Sequence, residues 1–279
     1  MLKFTQHTPV EAGDIHAIDL LSENTILSRV AIKQAMQKGA VWLTRNNHTQ
    51  RLRRAKKLLK QGDELHLYYD EQVLAKTPPE PELIADEKAY SIWYKPYGML
   101  CQGSKWGDHC TIQRWVEGHL QPQRSAFVVH RLDRAATGLI ILAHEKKIAA
   151  AFSQMFSQRL LDKRYQIIVH GEFPTGSEAV TVNDSIDGKS ACSHFRRIAY
   201  DLVRDRSLLE VSIESGRKHQ IRRHSAGMGF PVVGDRLYGQ SGDHEDLQLC
   251  AWQLAFDCPL SGEYRSYQLD DARLPQFEM

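Results

Sequence analysis

The chain has 279 residues, of which 42% are hydrophobic and 25% are charged, and its formal net charge is only +2. This length allows one large domain and one small one, and the composition is that of an ordinary globular protein rather than a disordered or fibrous one. The sequence contains no apolar run of about 18 residues, and its N-terminus lacks the apolar stretch of a signal peptide. We therefore expect a cytoplasmic protein without a membrane segment and, by default, a monomer.

The pattern of cysteines and the absence of cofactor-binding motifs in the sequence exclude several classes of site. The five cysteines form no CxxC pair and are odd in number, so neither a disulfide framework nor a zinc site is expected; they are Cys101, Cys110, Cys192, Cys250 and Cys258. No glycine-rich dinucleotide loop and no P-loop lysine motif occurs. The expectation is a protein without a metal and without a cofactor.

Residues 1–74 predict a small α/β unit of two helices followed by short strands. Ser28 suits the N-cap of a helix over residues 29–38, and Gly39 suits the left-handed position that ends such a helix. Strands are expected over residues 41–43 and 64–69, because β-branched, aromatic or alternating apolar residues follow turn residues there.

A basic block follows the first of these strands and contains no acidic residue. Its members are Arg45, Arg51, Arg53, Arg54, Lys56, Lys57 and Lys60. Such a block favours contact with a phosphate backbone, and the alternative is a solvated helix or loop face. The segments SRVAIKQAMQKGAVWLTR and QGDELHLYY resemble the RNA-binding domain of small-subunit ribosomal protein four. That resemblance implies that phosphates are bound by Arg29, Arg45, Arg51, Arg53 and Arg54.

Residues 75–87 contain three prolines and several acids, and we interpret them as a stiff, exposed linker. From residue 88 to residue 279 the chain alternates between strand and helix signals. The strands are expected over residues 90–94, 126–129, 139–143, 165–169 and 208–213. Apolar residues recur at helical spacing between positions 145 and 161. This pattern predicts an α+β fold with a mixed or antiparallel sheet and flanking helices.

A polar connection, HRLDRAAT, separates two apolar strands and carries the most distinctive carboxylate. Asp133 lies between Arg131 and Arg134, with His130 nearby, and these cations favour its ionised form. An oriented carboxylate can act as a nucleophile or a base. The alternative interpretation is a turn aspartate in a surface ion pair.

Two further segments carry groups that suit chemistry on a polyanion. The segment SGRKHQIRRH places six potential cations within eight positions and suits phosphate binding or the holding of a carboxylate. Tyr165 opens a strand after the expected amphipathic helix, where it can stack on a base or assist proton transfer. A solvated basic helix and a core tyrosine are the alternatives.

Together these segments resemble the RluA family of RNA pseudouridine synthases. The matching pieces are YKPYG, HRLDRAATGL, KRYQIIVHG, SGRKHQIRRH and VVGDRLYG. The resemblance implies that Asp133 is the catalytic aspartate, that Tyr165 contacts the target base and helps proton transfer, and that Arg222 pairs with Asp133. It also implies that the base or RNA is contacted by Arg131, His130, Ile221, Arg217, Lys218 and His219.

The leading hypothesis is an enzyme that isomerises uridine in structured RNA, most simply large-subunit ribosomal RNA, with transfer RNA as the alternative substrate. A second hypothesis is a non-catalytic RNA-binding or ribosome-assembly factor on the same fold. A third is a glycosidase-like hydrolase, which would need a second carboxylate opposite Asp133, and Glu214 is the motif-adjacent candidate.

Overall fold

The computed structural model describes residues 1–176 and 178–277. These residues divide into two compact units. The first contains residues 1–78 and 102–119, and the second contains residues 79–101 and the chain from residue 120 onward. Within the described part of the chain, no helix has both the length and the apolar character that a membrane crossing requires.

The first unit packs helices against a four-stranded antiparallel sheet with the strand order β1-β4-β2-β3. Its elements are β1 (Lys3–Pro9), α1 (Ala17–Asn24), α2 (Arg29–Gln37), β2 (Val41–Arg45), β3 (His48–Arg51), β4 (Glu64–Asp70), α3 (Glu71–Leu74) and α4 (Ile112–His119). The Ser28 hydroxyl accepts the Ala31 N–H at 3.2 Å, and Gly39 has a φ of 81°. The expected cap and the expected end of α2 are therefore both confirmed.

Strand β1 was not expected from the sequence. Its residues, KFTQHTP, include one that is buried, Thr8, so the strand lacks an apolar face that a pattern could detect. It forms an edge of the sheet and pairs with β4 from Lys3 opposite Asp70 to Pro9 opposite Glu64. Its position depends on this backbone pairing rather than on burial of its own side chains.

The second unit is built on a large mixed sheet. Its elements are β5 (Glu82–Asp86), β6 (Tyr90–Lys95), β7 (Phe127–Val128), β8 (Thr137–Ala143), α5 (Lys146–Ser157), β9 (Asp162–His170), β10 (Val180–Val182), β11 (Ser193–Asp201), β12 (Arg206–Ile213), α6 (Gln220–Gly227), β13 (Leu249–Asp257), β14 (Tyr264–Gln268) and a 3-10 turn (Asp271–Arg273).

The strand order of this sheet is β10-β11-β12-β9-β13-β8-β6-β5, with β14 beside β13 and β7 beside β8. Strands β13 and β8 are parallel, and the other described pairings are antiparallel. Helix α5 buries Ile148 and Phe152 in the core beside Tyr90 and Phe256. The α+β class with a mixed sheet is confirmed.

The boundary between the units differs from the expected linker over residues 75–87. Residues Glu82–Asp86 form β5, which pairs with β6, so only the proline-bearing part before it can act as a connection. Residues 102–119 belong to the first unit, where Asp108 lies between Arg51 and Arg53 and forms ion pairs with both. The sequence could not show this, because these partners are more than 50 residues apart.

Candidate active site

Asp133 lies in the loop between β7 and the buried strand β8. The loop is held at two points before Asp133. The Leu132 N–H donates to the Cys101 sulfur at 3.3 Å, and the Cys101 thiol donates to the Leu132 carbonyl at the same distance. The His130 Nε2 accepts the Ile141 N–H at 2.9 Å. Burial lowers the pKa of His130 to about 3, so the ring is a neutral acceptor that ties the loop to β8.

Lys95, at the end of β6, supports the same loop from the interior. Its side chain is fully buried, and its ammonium donates to the carbonyls of Pro96 and Met99 at 3.0 Å and of Arg134 at 3.4 Å. Burial lowers its pKa to about 8, against an opposing electrostatic effect of Asp133. A buried amine therefore fixes the backbone directly after the candidate nucleophile.

The lowered pKa of Lys95 predicts a specific pH dependence of stability. Between about 8, its folded pKa, and 10.5, its ordinary value, the unfolded chain binds more protons than the folded one. The contribution of Lys95 to stability therefore rises with pH across this window and is constant below it. We expect the free energy of unfolding of the wild type, minus that of Lys95→Met, to rise by up to about 1.4 kcal/mol per pH unit there. Denaturant titrations from pH 7 to pH 10.5 measure it, and a constant difference would show that Lys95 does not titrate in this way.

Helix α6 brings a buried arginine to Asp133. The Arg222 Nη1 donates to the Asp133 Oδ2 at 3.1 Å, while its Nε and Nη2 donate to the two oxygens of Asp235 at 2.7 Å each. Burial alone would lower the pKa of Arg222, but the hydrogen bonds to Asp235 and Asp133 outweigh it and the pKa is raised. Asp235 therefore fixes the guanidinium plane, and one edge of that plane remains for Asp133.

The start of α6 is set by Gln220 rather than by a usual N-cap. The Gln220 Oε1 accepts the Ser215 hydroxyl at 2.8 Å and the Arg217 N–H at 3.0 Å. Its amide nitrogen donates to the Cys192 carbonyl at 2.8 Å and to the Ser193 hydroxyl at 3.0 Å. These four bonds attach the turn that carries Arg217, Lys218 and His219 to the start of β11, so this basic turn has a fixed geometry.

His219 occupies the left-handed region, with a φ of 55°, which is uncommon for a residue with a side chain. Its Nδ1 lies 3.0 Å from the Tyr238 hydroxyl, and its Nε2 lies 3.8 Å from the Asp133 Oδ1. Burial lowers the pKa of His219, although Asp133 opposes this shift. The backbone conformation thus points the ring at the carboxylate.

These groups surround a cleft of about 180 Å³. Its lining includes Arg131, Asp133, Tyr165, Arg217, Lys218, His219, Ile221 and Arg222. Tyr165 and Ile221 are buried in its wall, whereas Arg131 and Lys218 are exposed at its rim. Burial, together with the charge of Asp133, raises the pKa of the Tyr165 phenol, which therefore stays protonated at neutral pH. The cleft combines one carboxylate, one neutral phenol, an apolar wall and a cationic rim.

Comparison with known proteins identifies the family. The sequence profile of RNA pseudouridylate synthase matches residues 89–227, which include Asp133, Tyr165 and Arg222. The chain belongs to this family. Members of the family are isomerases, and the chain is accordingly an enzyme of that class.

Two relatives and one solved structure illustrate the match. Ribosomal large subunit pseudouridine synthase D of Zymomonas mobilis is 27% identical over 70% of this chain and 69% of its own length. The tRNA pseudouridine synthase C of Pectobacterium carotovorum is 28% identical over 65% of this chain and 57% of its own length. Human RNA Pseudouridylate Synthase Domain Containing 1 shares the fold, with a TM-score of 0.59, 20% identity and coverage of 72% of this chain and 88% of that protein.

The first unit of this family member carries the other residues predicted to contact RNA. Arg45 forms a double hydrogen bond with Asp63, and Arg51 and Arg53 both pair with Asp108. Arg29 pairs with Asp19 at 2.6 Å, whereas Arg54 is exposed. Four of the five predicted arginines thus have carboxylate partners inside the unit. Among the described residues, Arg54 is the one of the five arginines without an ion pair.

Sequence reasoning did not select Asp235, Lys95 or Gln220 as residues of the site. The structure places Asp235 against Arg222 and Lys95 beneath the Asp133 loop, so both act on the candidate site. The available signal was their presence in the matching segments VVGDRLYG and YKPYG. The partner of each residue could not be read from those segments, because it lies elsewhere in the chain.

Proposed function

We propose that this family member converts uridine to pseudouridine in RNA with Asp133 as the reacting carboxylate. The observation that carries the proposal is that Asp133 meets Arg222, Tyr165 and Ile221 in one small cleft. Among the described residues that line this cleft, Asp133 is the one carboxylate. The cleft therefore provides one candidate for a nucleophile or base, with an arginine that holds it and a protonated phenol beside it.

The proposed reaction breaks the bond between ribose and a ring nitrogen and remakes it between ribose and a ring carbon. It involves no net oxidation, reduction or hydrolysis, so it needs no redox cofactor and no water. Asp133 attacks the sugar or the base, or removes a ribose proton. Arg222 orients the carboxylate, Ile221 packs on the base, and Tyr165 serves proton transfer at the ring carbon. The small volume of the cleft keeps the detached base close for reattachment.

A target base must leave its stack to enter this cleft. The exposed Arg131, two residues before Asp133, is positioned to occupy the space that the base vacates. We expect Arg131→Ala to lower kcat/KM by about 10- to 100-fold on a structured RNA, where unstacking costs a few kcal/mol. The loss should be much smaller on an RNA whose target uridine is already unpaired. Equal losses on the two RNAs would contradict this role of Arg131.

The proposed substrate is large-subunit ribosomal RNA, and transfer RNA is the second candidate. One relative is named for the large ribosomal subunit and another for tRNA, at nearly equal identity, so the names alone do not decide between them. The basic first unit favours a large, structured RNA, and we propose that it acts as an RNA-binding domain like that of ribosomal protein four. Arg54, Lys56 and Lys60 are exposed there and can reach phosphates.

The glycosidase-like alternative requires a second carboxylate in the cleft, and Glu214 does not provide it. Glu214 does not line the cleft of Asp133; its oxygens lie 3.2 Å from the Arg159 guanidinium and 3.2 Å from the His194 ring. A hydrolase with two acids on opposite sides of a sugar would need both in one cleft. The binding-factor alternative is opposed by the complete set of Asp133, Tyr165 and Arg222.

Mapping of pseudouridine at single-nucleotide resolution in total RNA, from cells with and without this gene, tests the proposal. We expect discrete sites in large-subunit ribosomal RNA to disappear and to return with the wild-type gene but not with Asp133→Asn. Loss of sites in tRNA instead would select the second substrate. Identical maps would overturn the enzymatic proposal and favour a role in ribosome assembly.

A further inference from the structure

A second cluster of reactive side chains lies outside the cleft, between β11 and the end of β12. Cys192 comes directly before β11, His194 lies within it, and Glu214 directly follows β12, which pairs with β11. The His194 Nε2 lies 3.4 Å from the Cys192 sulfur and 3.2 Å from the Glu214 Oε1. All three candidate ligand atoms lie within 4.8 Å of one another. The proposed mechanism uses none of them.

These spacings match the edges of a tetrahedron around a zinc ion. Bonds of about 2.3 Å to sulfur, 2.05 Å to nitrogen and 2.0 Å to oxygen, at tetrahedral angles, place sulfur and nitrogen about 3.6 Å apart and nitrogen and oxygen about 3.3 Å apart. We propose that Cys192, His194 and Glu214 bind one divalent transition-metal ion, for which Zn²⁺ is the best match. The ligand set combines a thiolate, an imidazole and a carboxylate, and this mixture suits a borderline ion.

The outer partners of the cluster orient two of the three ligands. The Thr181 hydroxyl lies 2.9 Å from the His194 Nδ1 and can accept a hydrogen bond from its N–H, which leaves the Nε2 lone pair facing the proposed ion. The Arg159 guanidinium donates to the Glu214 Oε2 at 3.2 Å, while the Oε1 faces His194. Supporting contacts of this kind accompany ligands in metal sites.

An open cavity of about 440 Å³ borders His194 and Glu214, so an ion and a water molecule can reach the cluster. Three protein ligands leave one position of a tetrahedral ion for that water. Binding converts the Cys192 thiol to a thiolate, and its proton passes to solvent. Because metal binding releases this proton, metal affinity should increase with pH.

A second cluster with possible ligand types among the described residues, His7, Glu64 and His66 in the first unit, has a different geometry. The Nδ1 atoms of its two histidines are only 2.7 Å apart, and this is a direct hydrogen bond rather than the edge of a metal polyhedron. The Nε2 of His66 lies 2.7 Å from the Thr44 hydroxyl. These ring nitrogens therefore already bind each other and Thr44.

Hydrogen bonds connect the proposed metal site to the basic turn of the cleft. The Cys192 carbonyl accepts hydrogen bonds from the Gln220 amide at 2.8 Å and from the Glu214 N–H at 3.2 Å. Gln220 in turn holds Arg217 through its backbone N–H. A metal that joins Cys192 to Glu214 would thus brace the strand ends on which the start of α6 depends. The metal site does not rest on the proposed activity.

Cobalt titration of the purified full-length chain, after removal of metals with a chelator, tests the proposal. We expect one equivalent of Co²⁺ to bind and to produce both tetrahedral d–d bands and a thiolate-to-cobalt charge-transfer band, and Zn²⁺ to displace it. Cys192→Ser and His194→Ala should each weaken binding by at least about 100-fold, because each removes one of three protein ligands. The charge-transfer band should vanish in Cys192→Ser.

Two further variants separate a specific site from general thiol binding or a folding defect. Cys110→Ser removes another partly exposed cysteine and should leave the band and the affinity unchanged. Thr181→Val keeps all three ligands and should weaken binding by about 10-fold, as expected for an outer hydrogen bond. Absence of the band in the wild type, or its persistence in Cys192→Ser, would overturn the proposal.

Discussion

Asp133→Asn is expected to abolish pseudouridine formation while leaving the fold and the RNA affinity close to those of the wild type. Asparagine has the same shape, so the loop held by Lys95 and His130 can stay in place. Arg222 also stays in place, because Asp235 binds it through two bonds of 2.7 Å. The amide is neither a nucleophile nor a base. We therefore expect the single-turnover rate to fall by at least about 1000-fold.

The measurement is single-turnover conversion of an RNA that carries a mapped target uridine, together with a filter-binding affinity for the same RNA. Asp162→Asn is a matched control in the same unit. Its carboxylate is about half exposed and forms an ion pair with Arg164 at 3.2 Å. This control should keep its rate, because an exposed pair contributes little. If Asp133→Asn turned over at the wild-type rate, Asp133 would take no part in the reaction. The cleft would then have no candidate nucleophile.

The sequence predicted several of the elements whose residues contribute an apolar face to a core, but it did not predict the buried strand β13. The expected strands over residues 90–94, 139–143 and 208–213 lie within β6, β8 and β12, and the expected helix over residues 145–161 contains α5. Strand β1 and strand β11 were not expected. Both have many polar side chains, and their positions depend on pairing with strands that lie elsewhere in the chain.

The residues that form the candidate site could be selected from the sequence, but the residues that hold them in place could not. Asp133, Tyr165 and Arg222 stand in distinctive segments, and a resemblance to a family was enough to select them. Lys95 and Asp235 act through contacts that span 39 and 13 residues, and no local pattern specifies the partner of either. The metal cluster shows the same limit, because Glu214 joins Cys192 and His194 only through the pairing of β11 with β12.

Asp235→Asn is expected to lower both the stability and the turnover of the enzyme. The Asp235 carboxylate is buried and accepts two bonds from Arg222 and backbone N–H groups from Leu237 and Tyr238 at 2.9 and 3.1 Å. An asparagine amide would turn a donor toward the guanidinium and leave a buried charge without its full counter-charge. We expect the free energy of unfolding to fall by about 3–5 kcal/mol. Denaturant titration measures the loss of stability. Steady-state kinetics should show that the variant loses activity mainly through a lower kcat, because Asp133 loses its orienting partner.

Two comparison variants separate the positioning of Arg222 from its contribution to folding. Arg223 lies on the same helix as Arg222, and its guanidinium is 3.0 Å from the exposed carboxylate of Asp187. Asp187→Asn should lower the free energy of unfolding by less than about 1 kcal/mol. The double variant Arg222→Met with Asp235→Leu removes both buried charges and should recover most of the stability, since apolar replacement of a buried pair is often neutral. It should remain inactive, because Arg222 no longer orients Asp133. Recovery of turnover together with stability would show that Arg222 and Asp235 serve only the fold.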